Sequence, residues 1–168
     1  GVRQRQAESY LKLLLATAQD IRVILIKLAD RLHNMETLSF QPESRQREIA
    51  KETFEVYAPM AQRLGISRLK SRLEDLAFKH TNPEEYQLIA KLLNQKLVKR
   101  EDYANQMAEE IENTLRKAGV EAEVYGRPKN IYSIHQKMKE KGTAFEEIFD
   151  LMGLRILVKN NPDCYRCI

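Results

Sequence analysis

The fold is decided by residues 119–130, which read GVEAEVYGRPKN. Apolar side chains alternate with charged or aromatic ones from Val120 to Tyr125, and a period of two residues is typical of a half-buried β-strand. Helix-favouring residues fill the chain before Gly119, whereas short strand-like and helix-like segments alternate after it. The sequence therefore predicts an all-helical block up to about residue 119 and an α/β block from there on.

Apolar residues recur at helical spacing through the first block and predict helices over about residues 4–19, 21–38, 43–64 and 67–79. A longer helical stretch is predicted over 81–117, with a break near 94–98. Asp20 and Ser67 are predicted N-caps, because short polar side chains accept hydrogen bonds from first-turn amides. Pro59 is expected to kink or break the third helix, since proline lacks an amide donor.

The second block is predicted to leave its first strand through a turn at residues 126–129. A helix over 129–141 follows, and Gly142 ends it. A short helix over 144–152 then leads into a strand over 154–158. The pattern of one strand, two helices and a second strand is that of the beginning of an α/β domain.

Composition narrows the class of protein. The chain has 168 residues and a net charge of +4, which favours an anionic ligand such as a nucleotide but is too diffuse to require a nucleic acid. No apolar run approaches the ~18 residues that cross a bilayer, and the first residues lack the apolar core of a signal peptide. Because the chain begins without Met, we expect it to be part of a longer protein. Cys164 and Cys167 have no second ligand pair nearby, so we expect reduced thiols rather than a zinc site.

A polar cluster marks the end of the apolar helix predicted over 21–38. Asp30, His33, Asn34 and Thr37 recur at helical spacing and therefore share one helix face. A carboxylate and an imidazole one turn apart can bind a divalent metal ion, provided that other segments supply further ligands. The alternative is structural: Asp30 pairs with a basic neighbour on its own helix, and His33 is a contact between helices.

Basic side chains surround the start of the helix predicted after the first strand. Arg127 and Lys129 flank a proline, and Ser133 and Lys137 continue the face of Lys129 at intervals of four residues. A helix N-terminus presents unpaired amides and a partial positive charge, so this face predicts a binding track for a polyphosphate. Asp150 is placed to hold Mg²⁺ against the same phosphates. The alternative is a solvated basic face.

Four segments match one family in order and spacing. They read KLADRLHNM at 27–35, YAPMAQRLG at 57–65, GRPKNIYSI at 126–134 and FDLMGLRI at 149–156. Together they resemble the RelA/SpoT family of alarmone synthetase/hydrolases. The resemblance implies a mainly α fold with a small α/β portion. The resemblance implies that residues 1–80 form the C-terminal part of an HD-type helical hydrolase domain and that residues 81–119 form a helical linker. It also implies that residues 120–168 form the truncated start of a nucleotidyltransferase-like synthetase domain.

The resemblance also implies two opposing activities in the longer protein. One transfers pyrophosphate from ATP to the 3′ hydroxyl of GDP or GTP, using Mg²⁺, and the other removes the 3′ pyrophosphate from (p)ppGpp, using Mn²⁺. It implies the ribosome as a possible partner and a cytoplasmic location, without a membrane. The implied roles are Mn²⁺ ligand for Asp30, hydrolase nucleotide pocket for Asn34 and Thr37, ATP binding for Arg127, Lys129, Ser133 and Lys137, and Mg²⁺ ligand for Asp150.

Two residues depart from the family pattern, and several functional ones lie outside the sequence. Glu36 stands where arginine is usual, and Asn130 stands where histidine is usual. The family's remaining Mn²⁺ ligands precede the first residue, and its guanosine-binding loop and second synthetase carboxylate follow the last. We therefore expect this chain to be inactive by itself.

Two other interpretations remain open. The chain could be a non-enzymatic helical regulatory or interaction module whose basic face binds RNA or an acidic partner. It could also belong to another nucleotidyltransferase-like enzyme, which would account for the second block but not for the segment from Asp30 to Leu38. A sheet with an ordered Asp150 pointing at the face of Lys129 and Lys137 favours an enzyme. Basic side chains splayed into solvent, without a sheet, favour the module.

Overall fold

The computed structural model describes residues 20–98, 101–148 and 151–167. The chain divides into two compact units, Gly1–Tyr86 and Gln87–Ile168. Helices dominate, and the described residues contain one sheet of two strands. The prediction of a mainly α fold with a small α/β portion is thus confirmed. Within the described residues no helix is both long and apolar enough to cross a membrane.

The first unit is entirely helical over its described residues. Its buried centre is built from apolar residues of four helices, among them Ile24, Leu28, Leu73 and Phe78. The elements are helix α1 (Ile21–Glu36), a 3-10 turn (Leu38–Phe40), α2 (Glu43–Glu52), a π-helical turn (Thr53–Tyr57), α3 (Ala58–Arg63) and α4 (Ser67–Thr81).

Helix α1 begins as predicted. The Asp20 carboxylate accepts a hydrogen bond from the Arg22 backbone amide at 2.9 Å, which is the N-cap geometry. The helix ends at Glu36, two residues earlier than predicted, because the backbone leaves the helical conformation at Thr37 (φ −100°, ψ 8°) and passes into a 3-10 turn. The helix predicted over 4–19 lies outside the described residues.

The predicted interruption at Pro59 takes the form of a widened turn. The Ala58 amide donates to the Thr53 carbonyl five residues back, and Pro59 then occupies the first turn of α3. A proline is tolerated there because first-turn amides have no partner within their helix. The buried Thr53 hydroxyl donates to the Ile49 carbonyl at 2.8 Å and completes the turn.

The prediction that Ser67 caps a helix is wrong. Gly65 adopts φ 74°, a left-handed conformation that favours glycine, and the chain reverses there. The Ile66 amide donates to the Ala61 carbonyl and closes the turn, so Ile66 occupies the cap position and Ser67 is the first residue of α4.

The remaining elements form the α/β portion and the helices before it. Gly119 and Gly142 end helices as predicted, with φ of 74° and 61°. The elements are α5 (Pro83–Val98), α6 (Glu101–Lys117), strand β1 (Ala122–Pro128), α7 (Ile131–Lys141), a 3-10 turn (Phe145–Glu147), β2 (Met152–Val158) and α8 (Asn161–Arg166).

The two strands pair antiparallel from Ala122 opposite Val158 to Pro128 opposite Met152. The prediction of a turn at residues 126–129 is therefore wrong: residues 126–128 remain in the ladder, and the Lys129 amide still donates to the Leu151 carbonyl at 2.9 Å. Proline is tolerated at the end of a strand. Because β1 runs further than predicted, α7 begins at Ile131, with Asn130 at its N-cap.

The helix predicted over 144–152 is also wrong. Among the described residues of this stretch only Phe145–Glu147 forms a helical turn, of the 3-10 type, and Met152 already belongs to β2. Phe145, Ile148 and Leu151 are buried at intervals of three residues, and this spacing imitated the apolar face of an α-helix.

Candidate functional site

A cavity of about 530 Å³ lies where β1 passes into α7, with β2 alongside. Its size is within the range usual for small-molecule sites. The four basic-face residues predicted from sequence all line it. The lining residues are Arg127, Pro128, Lys129, Asn130, Ser133, Lys137, Gly153, Leu154, Arg155 and Ile156.

The sheet supplies two guanidinium groups to this cavity. Arg127 pairs with Gly153 across the ladder, and Arg155 lies two residues further along β2, so both arginines project from the same face. No atom lies within 4 Å of the position where a Gly153 side chain would begin. The glycine thus leaves open space beside Arg127, into which a flat or anionic group fits.

Helix α7 supplies the other side of the cavity. Ser133 and Lys137 lie one turn apart on the face that lines it, and Lys129 lies just before the helix. Asn130 occupies the N-cap without making the side-chain hydrogen bond usual at that position. Its side-chain carbonyl instead accepts from the Ser133 hydroxyl at 2.6 Å.

The electrostatic character of the cavity is uniform. Four of its lining side chains are cationic (Arg127, Lys129, Lys137 and Arg155), and none of the described lining residues is a carboxylate. All four cationic residues are only partly exposed, which reduces screening by water. Such a cavity at a helix N-terminus is suited to a polyphosphate.

The residues of this site differ from the predicted set at three positions. Asp150, predicted as the Mg²⁺ ligand, lies outside the described residues. Asn130 and Arg155 line the cavity but were missed as site residues. The alternation along 154–158 could have placed Arg155 on the face of Arg127, had the register of the two strands been known.

A second cavity of about 250 Å³ lies in the first unit and includes Asn34 and Thr37. Its wall is stiffened by Arg31, whose guanidinium donates to the Glu52 carboxylate at 2.9 Å and lies 3.9 Å from the centre of the Tyr57 ring. The lining residues are Arg31, Asn34, Thr37, Leu38, Gln41, Arg45, Ile49 and Glu52.

Asp30 does not line that cavity. It is exposed, and its carboxylate accepts a hydrogen bond from the Asn34 side chain at 3.3 Å. Arg31, one candidate for an ion pair with Asp30, bonds Glu52 instead. No cluster of three or more histidine, cysteine or acidic side chains able to bind a metal ion occurs in the described part of the chain. One exposed carboxylate does not by itself make a manganese site.

The two departures from the family pattern occupy defined positions. Glu36 accepts a hydrogen bond from Arg72 at 3.2 Å, so its charge is compensated within the helical unit. Asn130 lies in the wall of the larger cavity rather than beside it. Cys164 is exposed, Cys167 is partly exposed, and neither forms a disulfide bond.

Family models match both ends of the chain. An HD-domain model matches residues 1–67, and a model described as a region found in RelA/SpoT proteins matches residues 126–168. The larger cavity falls entirely within the second match.

Curated relatives align with nearly the whole chain. A GTP pyrophosphokinase of Myxococcus xanthus is 44% identical over 165 residues, which are 98% of this chain and 22% of the relative. A guanosine-3′,5′-bis(diphosphate) 3′-pyrophosphohydrolase of Haemophilus influenzae is 46% identical over 167 residues, 99% of this chain and 24% of the relative. A GTP pyrophosphokinase of Escherichia coli is 41% identical over 168 residues, which are 100% of this chain and 23% of the relative. The chain thus spans about a quarter of the length of these relatives.

Proposed function

Since the chain belongs to the RelA/SpoT family, we propose that it is part of an enzyme that makes and degrades (p)ppGpp. The synthetic reaction transfers pyrophosphate from ATP to the 3′ hydroxyl of GDP or GTP, and the hydrolytic reaction removes the 3′ pyrophosphate. Relatives named for each activity support the proposal, because both kinds align with nearly all of this chain at 41–46% identity.

We assign the two activities to opposite ends of the chain. Residues 1–80 are proposed to belong to the hydrolase domain, 81–119 to a helical linker, and 120–168 to the beginning of the synthetase domain. The positions of the HD-domain match at 1–67 and of the RelA/SpoT match at 126–168 support this order.

The observation that carries the synthetase assignment is the cationic cavity. Arg127, Lys129, Ser133 and Lys137, which are proposed to bind ATP, all line it. Lysine ammonium groups neutralise phosphate charge from several directions, whereas a guanidinium binds phosphate bidentately or stacks on a base. Arg155 adds a second guanidinium on the face of Arg127. These residues bind and orient ATP; attack by the acceptor nucleotide requires groups outside the described lining.

The smaller cavity is proposed to belong to the hydrolase nucleotide site, with Asn34 and Thr37 as contacts. Amide and hydroxyl groups at one helix end can bind the edge of a base or a ribose hydroxyl. The Arg31 guanidinium is hydrogen-bonded to Glu52 and stacked on the Tyr57 ring. It therefore forms part of the wall of this site and contributes less to neutralising a ligand's charge.

The metal ions are proposed for the whole enzyme, Mn²⁺ at the hydrolase site through Asp30 and Mg²⁺ at the synthetase site through Asp150. The described residues offer Asp30 no cluster of further ligands, and no described carboxylate lines the ATP cavity. We propose that this chain alone catalyses neither reaction, and that the whole enzyme is cytoplasmic, with the ribosome as a possible partner.

The competing candidate is a helical module that uses the same cations to bind RNA or an acidic protein. A module of that kind presents its basic side chains on an open surface, where they reach successive phosphates. Here they converge on a cavity of about 530 Å³. A cavity of this volume suits one small ligand such as a nucleotide better than an extended RNA or protein surface. This convergence favours the nucleotide-binding assignment.

Titration of ATP into the purified chain tests the assignment. We expect Lys137→Glu to weaken binding by about tenfold or more, because it reverses a charge in the cavity wall. Lys141→Glu is the matched control: Lys141 lies on the same helix, is exposed, and does not line the cavity. Equal losses in both variants, or competition by a short RNA stronger than that by ATP, would contradict the proposal.

A further inference from the structure

Asn130 holds a buried polar atom that no described residue of the free protein satisfies. Its side-chain nitrogen is buried and has no hydrogen-bond partner among the described residues. The other half of the same amide is satisfied, since the carbonyl oxygen accepts from the Ser133 hydroxyl at 2.6 Å. Burying an unpaired donor is unfavourable, so such an atom in a cavity wall points to a missing acceptor.

The surroundings of Asn130 indicate what the acceptor is. Asn130 is the N-cap residue of the 11-residue helix α7, directly follows Lys129, and lines the cationic cavity. Its side chain does not cap the first-turn amides, which therefore keep their preference for an anion. A phosphate oxygen is the acceptor that suits a donor among cations and helix amides.

We propose that the Asn130 side-chain amide donates a hydrogen bond to a phosphate oxygen of the bound nucleotide. This inference rests on the proposed ATP site. This hydrogen bond is favourable because it satisfies a donor that has no partner among the described residues of the ligand-free protein.

The geometry gives Ser133 a positioning role in the same interaction. A hydroxyl has one proton, and that of Ser133 is donated to the Asn130 carbonyl. Ser133 therefore fixes the orientation of the amide, and Asn130 supplies the neutral donor to the ligand. The two residues act as one unit, so their contributions to binding are not additive.

Titrations of the full 168-residue chain with ATP and with inorganic tripolyphosphate, both with Mg²⁺, test this inference. We expect Asn130→Ala to weaken the binding of both ligands by about five- to tenfold, which is the effect of one lost hydrogen bond. Asn130→Asp should weaken the binding of both ligands further, because it removes the donor and adds a negative charge. Aspartate is as good an N-cap as asparagine, so this variant retains the helix start.

The double variant Asn130→Ala/Ser133→Ala is expected to lose less affinity than the sum of the losses in the two single variants, because part of the Ser133 contribution acts through Asn130. Unchanged tripolyphosphate affinity in Asn130→Ala, even with weakened ATP, would overturn the phosphate contact, and additive losses would overturn the joint role of Ser133. These outcomes can be distinguished from a failure of the proposed ATP site itself. In that case the unaltered chain would bind neither ligand, and Lys137→Glu would change nothing.

Discussion

The Arg31 guanidinium donates a hydrogen bond to the Glu52 carboxylate at 2.9 Å, and this ion pair joins helix α1 to helix α2. The Arg31 side chain is only 12% exposed, which distinguishes the pair from the exposed ion pairs along α2. The same guanidinium stacks on the Tyr57 ring. Glu52 therefore compensates a charge that has little access to water.

Replacing Glu52 by glutamine should lower the free energy of unfolding by about 1–2 kcal/mol, because the charged partner of a shielded guanidinium is lost. Glu48→Gln is the matched control. Its ion pair with Arg45 lies on the same helix but is at least half exposed on both sides, so a change within about 0.5 kcal/mol is expected. Urea unfolding measures both, and equal effects would contradict the structural role of the Arg31 pair.

The Thr53 hydroxyl should contribute to the stability of the π-helical turn. Its bond to the Ile49 carbonyl is buried, so Thr53→Val should cost about 1 kcal/mol, whereas the shape of the side chain is retained. Thr114 makes the same kind of bond to the Glu110 carbonyl at 2.9 Å but is exposed. Thr114→Val should therefore change the stability by less than about 0.5 kcal/mol. Thermal unfolding of the two variants compares them, and a larger effect at Thr114 would count against this explanation.

The stability of the helical unit should decrease on mild acidification because of His80. Burial, and then the nearby Lys79 charge, lower the pKa of His80 below its ordinary value of 6.5. The unfolded chain therefore takes up the proton more readily, so this contribution is present above about pH 6.5 and is lost as the pH falls through the lower, folded-state pKa. His80 Nδ1 lies 2.8 Å from the Gln46 side-chain oxygen, which can only accept, so Nδ1 donates to it in both the neutral and the charged ring.

His80→Gln should flatten the dependence of the unfolding free energy on pH between about pH 7.5 and about 5.5. Lys79→Gln, which removes only the neighbouring charge, should flatten it in part. An NMR titration of the His80 ring gives the folded-state pKa directly. An unaltered slope in His80→Gln would assign the pH dependence to other groups.

Manganese should bind this chain weakly. Affinity for a divalent ion follows the number and arrangement of its ligands, and the described residues place no cluster of further ligands around Asp30. Calorimetric titration of Mn²⁺ is expected to show no stoichiometric saturation and no difference between the wild-type chain and Asp30→Asn. Tight binding that disappears in Asp30→Asn would show that the chain holds a complete site.

Local chemistry in the sequence determined most of the helical architecture. Asp20 caps α1 because a short acidic side chain satisfies first-turn amides. Gly119 and Gly142 end helices because they adopt a left-handed conformation that favours glycine. The spacing of Lys129, Ser133 and Lys137 placed them on one side, and all of them line the cavity. Each of these features depends on residues close together in the chain.

Tertiary structure decided where the strands end and which residues complete the site. β1 extends through Pro128 because it pairs with β2, a partner some thirty residues further along the chain, and no local pattern specifies that register. The same pairing sets Arg155 beside Arg127 and leaves Asn130, rather than Lys129, at the start of α7. Likewise, Arg31 bonds Glu52, 21 residues away, instead of its neighbour Asp30. Contacts between distant segments depend on how whole elements pack, and periodicity within one element does not encode them.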